Sequence, residues 1–201
     1  MLTLVFVFCL FETKVFNNAT WLKIFHHDSS TGQYFNNFSE SLNCNSYYKY
    51  SIIGKIDQTY RRNGKFEFLL EYPELNGYNQ WKQTYNPKDN PEIGGTTATG
   101  YESVNIGYSG MYWGGLVVSN YQQTAIDGST GHLNWFYSIG CYSSTWMPNK
   151  FPGPALDNND NWYAVSKVLL WVRTNDTIPT VTTHLKNHIK NAIMFLSILI
   201  L

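Results

Sequence analysis

The alternation of apolar and polar positions is clearest in "GKFEFLLEY", where Phe66, Phe68 and Leu70 share one parity and Lys65 and Glu67 the other. A period of two puts the first set on one face of a strand and the second on its opposite face. Glu67 and Glu71 share the polar parity and are expected to face solvent. Asn63-Gly64, just ahead of this run, is a tight-turn dipeptide because both residues tolerate positive φ. Similar short runs recur at residues 21–26, 47–53, 101–107, 114–118, 134–139 and 165–172, with hardly any helical period between them. Seven or eight such strands broken by Gly, Asn and Pro predict an all-β domain, an antiparallel β-sandwich or jelly roll. Residues 85–100 and 147–161, rich in Pro, Gly, Asn and Asp, are expected to be long surface loops.

Both ends carry apolar runs, "LTLVFVFCLF" at 2–11 and "AIMFLSILIL" at 192–201, each about half of the ~20 residues a membrane helix needs. The first reads as a secretory h-region and assigns residues 1–17 to a signal peptide. The second, after a polar stretch, has the form of a glycolipid-anchor signal, so 175–201 reads as a stalk and tail around a domain at 18–174. Asn18, Asn37 and Asn175 each begin an N-x-[ST] acceptor, which fits a glycoprotein at the cell surface or outside the cell. With Cys9 in the leader, Cys44 and Cys141 remain as an even pair. An oxidising compartment favours a disulfide between them over two buried thiols.

Charge removes one class of partner. Residues 18–176 carry 11 basic against 13 acidic side chains, so no basic stripe is present to neutralise phosphates and nucleic acid is not expected. Aromatic residues make up 17% of the chain and charged residues only 14%, an excess that suits a β core or a recognition surface.

No motif identifies a reaction: there is no G-x-S-x-G elbow and no phosphate-cradling glycine loop, and the reading leans away from an enzyme. "FHHDSSTG" invites a metal, but consecutive strand residues point to opposite faces, so His26 and His27 cannot both hold one ion; Asp28 and the serines are turn chemistry and Gly32 closes the turn. Asp157, Asn159 and Asn161 alternate like a calcium loop, yet Trp162 and Val168 stand where that loop needs Gly and Glu. A looser calcium site on Asp157 and Asp160 is the metal reading, against a solvated polar loop. Sugars offer C–H faces to aromatic rings and hydroxyls to amides and carboxylates. Trp81, Tyr112 and Trp113, with Asp127, are therefore the candidate ligand contacts, although half or more of the rings at Trp81, Tyr112, Trp113, Trp135, Trp146 and Trp162 must be core.

"HHDSSTG", "GKFEFLLEYPEL", "NQWKQTYNP", "WGGLVVS" with "AIDG", "NWFYSIG", "FPGP" and "VSKVLLWV", in this order over residues 24–172, resemble a family of largely uncharacterised extracellular domains. The resemblance implies an independent secreted or cell-surface module of the lectin-like β-sandwich kind, often repeated in larger proteins. It carries no catalytic signature, and this chain departs from it within "IGYSGMYWGG" and around "SSTWMPNK". The expectation is thus a carbohydrate-binding module for a glycan or glycoprotein, reaching the membrane only through a lipid anchor. The alternatives are a glycan-active hydrolase, which needs two of Glu67, Glu71, Glu74 and Glu102 across a cleft, and a structural or adhesion protein.

Overall fold

Alternating side chains and short turns build an all-β protein. The computed structural model describes residues 12–42, 48–90, 97–108, 113–119, 125–129, 137–140, 155–158 and 161–174. Its strands are β1 (Thr13–Phe16), β2 (Ala19–Asp28), β3 (Lys49–Ser51), β4 (Phe66–Tyr72), β5 (Gly77–Gln83), β6 (Glu102–Ile106), β7 (Trp113–Val118), β8 (Ile126–Ser129), β9 (Ala155–Asn158), β10 (Asn161–Ala164) and β11 (Lys167–Arg173). A seven-stranded antiparallel sheet runs β1-β2-β11-β4-β5-β6. β3 joins the edge of β2 that β1 occupies, because β11 fills the other edge. β7 pairs with β8, and β9 with β10, in two further hairpins.

Local chemistry sets the turns. Asn17 and Asn18 both take positive φ, 49° and 55°, between paired Phe16 and Ala19, so the β1–β2 hairpin closes through a primed turn. Asn63 and Gly64 do the same between Arg62 and Lys65, as the dipeptide predicts. Asp28 ends β2 and caps the 3-10 turn Ser29–Thr31, accepting from the Ser30 amide at 3.1 Å, and Gly32 follows at φ +70°. The turn reading of "DSSTG" therefore holds.

The even-numbered side chains of β4, Phe66, Phe68, Leu70 and Tyr72, enter the main core with Ile24, Trp81, Val168, Leu170 and Val172. A register shift where Leu170 and Trp171 meet β2 turns both Ile24 and Phe25 inward. Leu116, Ile126, Tyr137 and Ile139 cover this face, so the β7–β8 pair forms a second layer over the large sheet. The layering accords with a sandwich; a jelly-roll connection of the strands is a proposal only.

The opposite, outer face is packed as well. Ala19, Trp21, Leu69 and Trp171 form a second buried cluster there, flanked by Phe16, Tyr78 and Leu169. Lys14 seals its edge: its ammonium lies 4.4 Å from the Trp171 ring and pairs with Glu71, which also accepts from Trp171 Nε1 at 2.6 Å. The sheet thus takes in Thr13–Phe16, ahead of the expected domain start at residue 18.

Three expectations need correction. Glu67 shares the outer parity as expected but is only 5% exposed, because neighbouring strands close over it. The expected loop 147–161 holds β9, whose partner is β10. Among residues 134–139, Tyr137 to Ile139 are described, and Ile139 meets β8 at an isolated bridge to Ile126 rather than within a strand. Cys44, Cys141, Asn175 and the terminal segments 1–11 and 175–201 lie outside the described residues. The chain beside both cysteines comes together, since a Cβ added to Gly140 would sit 3.3 Å from that of Ser41.

His26 and His27 point to opposite faces and both are buried. His27 packs edge-on against Phe35 at 5.1 Å, and its Nε2 meets the Gln33 carbonyl at 3.0 Å, so Nε2 carries the proton. Burial pushes both imidazoles down to about 4. Each is therefore neutral when folded and gains a proton on unfolding anywhere between the folded value and the ordinary 6.5. Stability is full above pH ~6.5 and falls toward pH ~4, by about 3 kcal/mol for His27 alone. Urea midpoints across this range are expected to drop as pH falls and to drop less in His27→Leu; an unchanged slope in the variant contradicts the assignment.

Candidate functional site

The outer sheet face carries a row of alternating charges one residue wide. The β11–β4 register pairs Val172 with Phe68, so the next step places Arg173 beside Glu67. Glu67 lies opposite Lys82 on β5, and Lys82 opposite Glu102 on β6. Arg173, Glu67, Lys82 and Glu102 thus stand side by side on four adjacent strands, each cation next to an anion. Antiparallel pairing alone fixes this order once the parity of each strand is set.

Glu67 is the fixed member. Its two oxygens accept from Gln80 Nε2 at 2.7 Å and from Arg173 NH1 at 3.0 Å. Its depth in the sheet is tolerable because both oxygens are bonded, one of them to a cation. Glu102 is the loose member. Lys82 bonds one of its oxygens at 2.9 Å and Lys65 the other at 3.2 Å, yet its side chain remains half exposed. Those two lysines, Lys82 first, hold the Glu102 carboxyl below its ordinary range.

Around the row the face is concave. A trough of about 750 Å³ opens over it, walled by the hairpin turns at Asn17 and at Arg62 and Asn63. Its far wall is β6, where a register shift between Gln80 and Trp81 brings Val104 and Asn105 to the rim with Glu102. Asn105 Nδ2 donates to the Tyr78 hydroxyl at 2.7 Å. The lining holds four cations, Arg62, Lys65, Lys82 and Arg173, against two carboxylates, and none of its residues is aromatic.

The ligand contacts expected from the sequence fall elsewhere. Trp81 is fully buried, 4.9 Å from Trp113 and 5.6 Å from Phe68 between ring centroids, with its Nε1 donating to Gln83 Oε1 at 2.7 Å. It is core, because its neighbours Gln80 and Lys82 take the outer parity and leave the inner one to the ring. Trp113 is wedged between Trp81 and Tyr137. Asp127 is 4% exposed, on β8 opposite Val117, and so is closed to a ligand. Tyr112 and Asp160 lie outside the described residues, and Asp157 sits on β9 opposite Trp162. Among the described residues no three His, Cys, Asp or Glu side chains gather as a metal would require.

Glu67 and Glu102 share the trough, which is the pairing a hydrolase would need. Both are engaged by cations, Glu67 by Arg173 and Glu102 by Lys65 and Lys82. The cross-strand row was visible only in part beforehand: the polar parity of Glu67 is local, but the register that brings Arg173 to it is not.

The chain matches no family model, no curated protein and no solved structure. No helix among the described residues is long and apolar enough to cross a membrane.

Removing one partner of a buried, hydrogen-bonded pair strands the other charge, at about 3 kcal/mol. Arg173→Met is expected to lose roughly that much in chemical denaturation, and Glu67→Gln added to it should recover a good part. An Arg173→Met protein as stable as the parent contradicts the role given to this pair.

Proposed function

We propose that this is an extracellular or cell-surface module that binds a glycan or glycoprotein in the outer-face trough. The observation that carries the reading is the floor of that trough: a buried carboxylate, Glu67, held in place by Gln80 and Arg173 on three neighbouring strands. Preset amides, ammonium groups and carboxylates on a rigid sheet suit a ligand dense in hydroxyl groups, because their positions cost no ordering on binding.

The extracellular part rests on separate observations. Asn18 is exposed at the tip of the β1–β2 hairpin, open to a glycosyltransferase. Asn37 is exposed too, and only its Oδ1 is engaged, accepting from the Glu40 amide as the cap of the short helix α1 (Phe38–Ser41), so its Nδ2 is open to carry a sugar. The approach of Ser41, three residues before Cys44, to Gly140, which precedes Cys141, supports a disulfide between the two cysteines. A leader, where one is cleaved, ends before Thr13, since β1 belongs to the sheet. The family resemblance, a lipid-anchored tail and calcium at Asp157 and Asp160 belong to the same proposal.

Two measurements test it. A peptide map of protein secreted from animal cells should show N-glycan on Asn18 and Asn37 and join the Cys44 and Cys141 peptides without reductant; bare asparagines and free thiols would contradict the compartment. A glycan array probed with the full chain should give signal that falls at least about tenfold, ~1.4 kcal/mol, in Asn105→Ala. A blank array, or a signal indifferent to this rim residue, rejects the trough as the site.

A further inference from the structure

The trough has no aromatic side chain, and Val104 is the one apolar residue among its lining side chains. Stacking on a ring, the usual source of affinity for a neutral sugar's C–H face, is therefore missing from it. What the lining offers is charge: four cations against two carboxylates, a surplus of two. The near-neutral balance of the whole chain makes this local surplus a property of the site rather than of the protein.

The two carboxylates differ in how firmly they are held. Glu67 has a 6% exposed side chain and cannot leave without stranding Arg173. Glu102 is 49% exposed and stands on β6, whose residues 102–105 are all exposed. Its pairs with Lys65 and Lys82, themselves 32% and 35% exposed, are surface ion pairs of the kind that contribute little net stability. Two ammonium groups thus converge on one weakly held anion at the rim of a concavity. That anion marks the place where another would sit.

We propose that the trough takes an acidic saccharide, whose carboxylate or sulfate group settles between Lys65 and Lys82 and displaces Glu102. Asn105, beside that point on the exposed run of β6, then meets the hydroxyls of the same or the next sugar ring, and Val104 lies against its C–H face. A carboxylate and a sulfate present the same acceptor oxygens to two lysines, so the probes must separate them. The inference rests on the glycan-binding reading and narrows it to charged sugars.

The test is a titration of the full secreted chain, followed by calorimetry, with five probes: a uronic-acid tetrasaccharide, its methyl ester, a sulfated tetrasaccharide, a neutral tetrasaccharide and a short single-stranded DNA. Expected is binding of the uronate, the sulfated sugar or both, weakening as salt is raised, with the ester and the neutral sugar at least about tenfold weaker. Lys65→Ala with Lys82→Ala should abolish the preference. Glu102→Gln should tighten acidic-sugar binding several-fold, an effect that a merely structural ion pair would not produce. Thermal melting of each variant keeps a folding defect apart from a binding one. Equal binding of the acid and its ester overturns this inference and leaves the glycan reading standing. Binding of none of the sugars overturns that reading too, and DNA binding as tight as the uronate's overturns the assignment to sugars.

Discussion

The outer face of this sheet depends on one ion pair. Glu67 points away from the main core, where a carboxylate would ordinarily reach water, yet the strands on either side bury it. Arg173 and Gln80 complete its hydrogen bonds from flanking strands at that depth. The pair joins β11 to the β4–β5 hairpin, in the register that strand pairing sets for the charged row. From that row follow the position of Lys82, the looser hold on Glu102 and the concavity above them.

A sheet packed on both faces has little surface left for recognition, and this one divides its outer face in two. Toward β2 and β11 the side chains are apolar, with Trp21, Leu69 and Trp171 closed over by Phe16 and by the Lys14 ion pair with Glu71. Toward β5 and β6 they are charged or amide-bearing, and Lys82, Glu102 and Asn105 reach the surface beside the buried Gln80. The apolar half is buried, and the polar half lines the trough. In the proposed reading, recognition on strands rather than on loops favours a ligand of fixed geometry, since little ordering is left to be lost on binding.

Much of the architecture was legible where chemistry is local. The alternation in "GKFEFLLEY" places β4 correctly, Asn63-Gly64 makes its turn, and "DSSTG" caps β2, because period and turn propensity act within a few residues. The packing of Glu67 was not legible, since it depends on Arg173, 106 positions away in sequence. The hairpin of β9 was hidden by its Asn- and Asp-rich composition, which reads as loop until a partner strand is in place. Trp81 was misassigned to a recognition surface by residue type alone. The polar alternation of Gln80 and Lys82 around it already set its ring on the core side, and parity outweighs chemical suggestiveness in such a strand.

The central claim is that ligands meet the charged half of the outer sheet face rather than the layer containing Trp113 and Asp127. Amide chemical-shift mapping during titration with the uronic-acid tetrasaccharide tests this most directly. The account predicts shifts concentrated at Lys65 to Glu67, Gln80 to Lys82 and Glu102 to Asn105. Shifts gathered instead at Trp113 to Val118 and Ile126 to Ser129, with the outer face silent, would contradict it.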